Sequence, residues 1–180
     1  MAPVKRAMRR PWMTAVLLAA LGLAGCGSQG AMTPRPSILL DGHHGTTVRL
    51  AFLSAVPDRE PILSSSGVTW ITLDQWRQTL QNGFDAGFGR SFTVTHAEAA
   101  ELTIQLDMTV LTDVSAGGPE DAMSLRYQAH LLDARGRPIG TSSGTVTGRP
   151  EPGIQAVAHS VEAMYEKIAN DFFNRSPAEE

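Results

Sequence analysis

Gly140-Thr141-Ser142-Ser143-Gly144 spells the G-x-S-x-G pattern in which a serine hydroxyl acts as nucleophile, and on that pattern Ser142 would attack an acyl carbon. Such an elbow needs a strand that turns directly into a helix. Thr145-Val146-Thr147-Gly148-Arg149-Pro150 instead reads as extended chain stopped by a proline, so the match is expected to be incidental. Metal binding has two candidate sets, His43 and His44 beside Asp41, and His96 with Glu98 and Glu101. Neither has a recognised ligand spacing, and His130 and His159 fall on expected strand and helix surface, so no metal or cofactor is predicted. Gly83, Gly87 and Gly89 follow a helical pattern and lack the strand-to-helix placement of a phosphate-cradling loop. The carboxylates are dispersed, with no pair set for general acid and base work.

The clearest chemistry belongs to Cys26, the single cysteine. Lys5, Arg6, Arg9 and Arg10 precede an apolar run from Trp12 to Leu23 and then small residues, which is the layout of a secretory leader. A run of about a dozen residues is short of the ~20 that a spanning helix needs. Leu23-Ala24-Gly25-Cys26 resembles the lipobox, which implies lipid such as palmitate on the Cys26 thiol and cleavage between Gly25 and Cys26. At about 0.8 kcal/mol per buried CH₂, one chain anchors marginally and two or more anchor stably, so a tethered, non-spanning protein is expected. The Arg9-Arg10 pair is uninformative as a twin-arginine signal. Gly27 stands where an aspartate would retain a lipoprotein in the inner membrane under enterobacterial-type sorting. In a cell with two membranes the outer one is therefore expected, with the domain facing the periplasm.

Removing residues 1–25 takes away four basic and no acidic residues, leaving eleven Lys plus Arg against 18 Asp plus Glu, a formal charge of −7. Lys167 is then the only lysine, and the cations are scattered, which argues against a nucleic-acid partner. With Cys26 used for lipid, no thiol remains for a disulfide, so a hydrophobic core must hold the domain together. Residues 46–175 suit one core. Residues 26–45, rich in Gly, Ser and Pro, read as a flexible tether whose Ile38-Leu39-Leu40 stretch docks on the domain or on a partner. Residues 176–180 read as a disordered tail.

Leu102, Ile104, Leu106, Met108 and Val110 alternate with polar residues, as do Met123, Leu125, Tyr127, Ala129 and Leu131, which predicts two half-buried strands forming an antiparallel hairpin. Burial at about 1.5–3 kcal/mol per large side chain pins the parity of their register but not the register itself. Asp133-Ala134-Arg135-Gly136 predicts a turn into a weaker strand over 137–148, with Gly140 and Gly144 suggesting an edge or a bulge. Val48, Leu50 and Phe52 mark a first strand, and residues 92–95 a short one. Thr72 and Gln75 form a capping-box pattern, with Ile71 placed to staple against Trp76. That helix carries Leu73, Trp76, Leu80, Phe84 and Phe88 on one face, with Gly83 and Gly87 on the same stripe, which fits either close approach to the sheet or fraying near the helix end. A second helix over 154–173 carries Ile154, Val157, Val161, Met164, Ile168 and Phe172.

The expected fold is therefore α+β: a two-layer domain in the order β-α-β-β-β-β-α, with a mainly antiparallel sheet and two helices on one face. The opposite sheet face would display Thr103, Gln105, Asp107, Thr109, Ser124, Arg126, Gln128 and His130. Apart from Ser124, these are the candidate docking residues, although antiparallel sheets commonly leave such a face simply solvated.

Ser91 to Val110 and Leu125 to Gly140, an alternating strand after acidic and small residues and then an alternating strand with a Leu-Asp-x-x-Gly turn, resemble small outer-membrane lipoproteins of envelope machines. These segments look like the auxiliary lipoproteins of ABC-type lipid transport and the lipopolysaccharide-assembly lipoprotein. They are also similar to the peptidoglycan-synthase activator lipoproteins and the TolB amino-terminal module. Only Cys26 carries over residue by residue. The resemblance implies a non-enzymatic, lipid-anchored accessory subunit with a protein partner in an envelope complex. A second reading is a periplasmic binding module for a lipid or peptidoglycan fragment, which needs an apolar cavity between helices and sheet. A third is a hydrolase using Ser142, which needs a histidine and a carboxylate in hydrogen-bond reach.

Overall fold

The computed structural model describes residues 33–53, 59–64, 67–111, 123–151 and 154–174, all within the compact unit Ala31–Glu180. Cys26, Gly25 and the rest of the leader lie outside these residues, as does the tail over 176–180. Seven strands and two helices follow in order: β1 (Thr47–Phe52), β2 (Arg59–Ser64), β3 (Gly67–Thr72), α1 (Leu73–Phe88), β4 (Thr93–Val94), β5 (Leu102–Leu111), β6 (Ser124–Asp133), β7 (Pro138–Thr147) and α2 (Ile154–Phe173).

The expected α+β arrangement holds, with one addition: β2 and β3 form a separate antiparallel hairpin that leads straight into α1. The main sheet has the order β4-β1-β5-β6-β7. Its longest ladders, β5 with β6 and β6 with β7, are antiparallel, while β1 runs parallel to both β4 and β5. A parallel pair needs a crossover longer than a turn, and α1 supplies it between β1 and β4. The hairpin register sets Leu102 opposite Asp133 and Leu111 opposite Ser124.

α1 begins as its sequence predicts. Thr72 Oγ1 accepts from Gln75 N at 3.3 Å while Gln75 Oε1 accepts from Thr72 N at 2.9 Å, so two of the helix's orphan donors are satisfied reciprocally. Trp76, Leu80, Phe84 and Phe88 are fully buried, as are Val157, Val161, Met164 and Ile168 of α2. They meet Val48, Ile104, Leu106, Leu125 and Ala129 from the sheet. Tyr165 crosses between the helices and donates to Leu80 O at 2.9 Å. At the C-terminal ends of the helices, Phe88, Phe92 and Phe173 form a ring cluster, with His43 stacked on Phe92 at 4.8 Å.

The second half of the segment expected to be a flexible tether is a docked strap, in which Ile38 and Leu40 pack on the domain and the two prolines before them join in. Pro34, Pro36, Ile38 and Leu40 are buried while Thr33, Arg35, Ser37 and Leu39 are exposed. Backbone donors hold it down: Arg35 N bonds Glu162 Oε1 at 2.8 Å, Ser37 N bonds Glu166 Oε1 at 2.7 Å, and Leu40 N bonds Ser91 Oγ at 3.1 Å. This corrects the expected role of the α1 glycines. A Cβ on Gly83 would sit 3.1 Å from Pro34 and 3.2 Å from Val161, and one on Gly87 would sit 2.6 Å from Pro36, so these glycines admit the strap and α2.

Candidate docking face

The side chains that point away from the helices form rows across the sheet. Thr109 stands opposite Arg126 and Arg126 opposite Thr145; Asp107, Gln128 and Ser143 make the next row, and Gln105, His130 and Thr141 the next. Register brings together six of the seven expected docking residues and adds three from β7 that the sequence reading left out. Arg126, Gln128, Thr109, Thr141, Ser143 and Thr145 are exposed, while Gln105, Asp107 and His130 are half-buried. Thr103 departs from expectation: it is 6% exposed, and its hydroxyl accepts from Arg49 Nε at 3.0 Å, so the arginine on β1 occupies the place where a partner would touch it. Gln128 Nε2 and His130 Nε2 lie 3.2 Å apart, and His130 Nδ1 lies 3.3 Å from Thr141 Oγ1, which orients the imidazole along the face.

Two open concavities lie on this face. One of about 470 Å³ is lined by Asp107, Thr109, Arg126, Gln128, Ser143 and Thr145. The other, about 410 Å³, involves Arg49, Glu98, Glu101, Thr103 and Asp133. In the second, Glu101 Oε2 accepts from Thr47 N at 2.7 Å, and Asp133 accepts from Arg135 N and Arg137 N at 2.9 Å each and from Arg137 Nε at 2.8 Å. The Arg137 backbone N–H and side chain, followed by the Arg135 N–H, hold the Asp133 carboxyl below its ordinary value. Those bonds close the β6–β7 turn around Gly136, whose φ of +73° suits glycine.

The remaining chemical candidates fall elsewhere. Ser142 lies within β7 opposite Ala129, 2% exposed, on the face toward α2. It donates to Asp171 Oδ2 at 2.6 Å and sits 3.1 Å from the Tyr127 hydroxyl, while Lys167 Nζ reaches Asp171 at 3.1 Å. Ser142 thus has a carboxylate neighbour but no imidazole among its hydrogen-bond partners, and β7 continues past it to Thr147 without turning into a helix. Burial raises the Tyr127 phenol above its ordinary value, opposed by its bond to Ser142. His96 lies 3.7 Å from Asp85, and His159 Nδ1 lies 2.8 Å from Glu162. Among the described residues no three His, Cys, Asp or Glu side chains gather as a metal site, and no helix is long and apolar enough to cross a membrane.

The fold and this face define a two-layer α+β domain with one helix-covered and one open polar sheet surface. That fold is similar to the structure of a Xanthomonas campestris protein of family DUF330, at a TM-score of 0.50 and 14% identity over 76% of this chain and 87% of that one. A PelC dodecamer from Paraburkholderia phytofirmans matches at a TM-score of 0.37 and 17% identity over 78% of this chain and 95% of that one. No family model matches the sequence, and no curated protein does.

Proposed function

We propose that this protein is a non-enzymatic, lipid-anchored accessory subunit of an envelope assembly or lipid-transport machine, held by Cys26 to the outer membrane and facing the periplasm. The observation that carries the reading is the placement of the strap. Residues 33–40 lie along the α1–α2 groove, and the polar sheet face lies on the opposite side of the two layers. An anchor that reaches the domain from the strap's side would leave Arg126 and Gln128 accessible to a protein partner. A surface of Thr, Ser, Gln, Asp and Arg offers hydrogen bonds and few apolar atoms, which suits a wet, polar interface. The alternative of a lipid-binding module finds less support, because Val48, Ile104, Leu106, Leu80 and Val161 occupy the space between helices and sheet.

The test pairs two measurements in intact cells. Cys26→Ala is expected to move the folded protein from the membrane to the soluble periplasmic fraction. A photo-crosslinking residue at Gln128 is expected to capture one reproducible envelope protein, while the same residue at Gln78, exposed on α1, is not. An unchanged membrane fraction for Cys26→Ala, or equal capture from both positions, contradicts the proposal.

A further inference from the structure

The free edge of β7 is unusually bare. The Gly148 N to Met123 O bond of 3.0 Å makes that pair a hydrogen-bonded one, and in an antiparallel ladder such pairs alternate. Val146, Gly144, Ser142 and Gly140 therefore turn their amides toward β6, whereas Thr141, Ser143, Thr145 and Thr147 turn theirs outward. All four of these residues are exposed, and none of their outward backbone groups has a partner among the described residues. Proteins usually blunt such an edge with a lysine, an inward charge, a proline or a very short strand. β7 runs ten residues from Pro138 to Thr147 with no charged side chain; its proline is the first residue, and its bulge, at Ile139, is confined to the turn end. At the other side of the sheet, β4 is blunted to two residues.

We infer that β7 is a docking edge for a second copy of this chain, the two β7 strands pairing antiparallel about a two-fold axis into one continuous sheet. The sequence of the edge is complementary to itself. Every two-fold register over 141–147 sets Thr or Ser opposite Thr or Ser on the open face, a favourable cross-strand combination, and none brings like charges together. A head-to-tail pairing of β7 with β4 would use only two residues and would not close, so the symmetric arrangement is the one that copies of this chain can complete. α2 lies above β7, with Phe172 against Gly140 and Lys167 against Gly144, and Lys167 is already paired with Asp171. The helices that meet across the axis thus add no unpaired cation from that position. Dimerisation would extend the open polar face across both copies.

Sedimentation of the full chain, purified in detergent at micromolar concentration, tests this inference without reference to any partner. Wild type is expected at twice the monomer mass. Ser143→Lys and Ser143→Pro both change an outward position, the second removing an N–H that β6 does not use, and both are expected to sediment as monomers with unchanged circular dichroism. Gln128→Lys, on the same face but in central strand β6, is expected to remain a dimer. A monomeric wild type, a dimer that survives both Ser143 substitutions, or recovery of β7 paired with a strand of a different protein would overturn the inference.

Discussion

The Pro36 ring lies so close to Gly87 that a Cβ at that glycine would be 2.6 Å from the ring and 2.9 Å from Ile38. The extended segment and the helix are therefore fitted to each other at one backbone position, and the strap behaves as part of the core. Gly87→Ala gains about 1 kcal/mol of helix propensity but forces an overpacking cost of about 1–3 kcal/mol. The expected result is a small net loss of stability in urea, together with faster hydrogen exchange at the Arg35, Ser37 and Leu40 amides. Unchanged exchange at those amides would show that the strap does not depend on the glycine.

Ser142 links β7 to α2 through Asp171, and its environment is that of a structural hydroxyl. Ser142→Ala removes a bond to a charged group and leaves part of the Asp171 acceptor capacity unfilled, a loss of about 1–3 kcal/mol. Urea unfolding measures it. A fluorophosphonate probe is expected to leave the folded wild type unlabelled, and labelling at Ser142 would revive the nucleophile reading.

Both tyrosines of the chain are buried and held above their ordinary value of about 10, Tyr165 well above it, chiefly by burial and secondarily by the Asp85 charge. A raised folded-state value means that the native protein keeps these protons more tightly than the unfolded chain does. The associated stability is complete below about pH 10 and is lost as pH rises through the folded-state values. Tyrosinate absorbance is expected to appear together with loss of helical ellipticity. A titration near pH 10 in protein that is still folded would contradict the packing of both phenols.

The β5–β6 hairpin was legible because alternation over ten residues leaves one parity that buries Ile104, Leu106, Leu125 and Ala129. The α1 start was legible because Thr72 and Gln75 form a local signal that tertiary contacts do not override. The docking of Ile38 and Leu40 was legible as an apolar stretch, with the domain and a partner both open as its target, but its extension to Pro34 and Pro36 was not, because Gly, Ser and Pro together read as a flexible tether; counted as apolar rings, the two prolines continue the period-two pattern of Ile38 and Leu40. The β2–β3 hairpin was not expected: Pro61 has no N–H to give a ladder, although a two-stranded sheet consists only of edges, where proline is tolerated. The parallel pairing of β1 with β5 has no local signal, since it depends on a crossover of some fifty residues. On the candidate face, the β7 residues and the Arg49–Thr103 contact emerged only once the register was known.

Charge reversal on that face separates docking from folding. Arg126→Glu combined with Gln128→Glu alters exposed positions, so stability is expected to stay within about 0.5 kcal/mol of wild type. Crosslinking from Thr109 to the proposed envelope partner is expected to be lost in the same variant. Retained crosslinking would place the partner elsewhere.

The account depends most directly on what is attached to Cys26. Intact mass and N-terminal peptide analysis of the protein extracted from membranes is expected to give a chain that begins at Cys26 and carries acyl chains on its sulfur. A free Cys26 thiol, or a processed chain that begins at another residue, would contradict it.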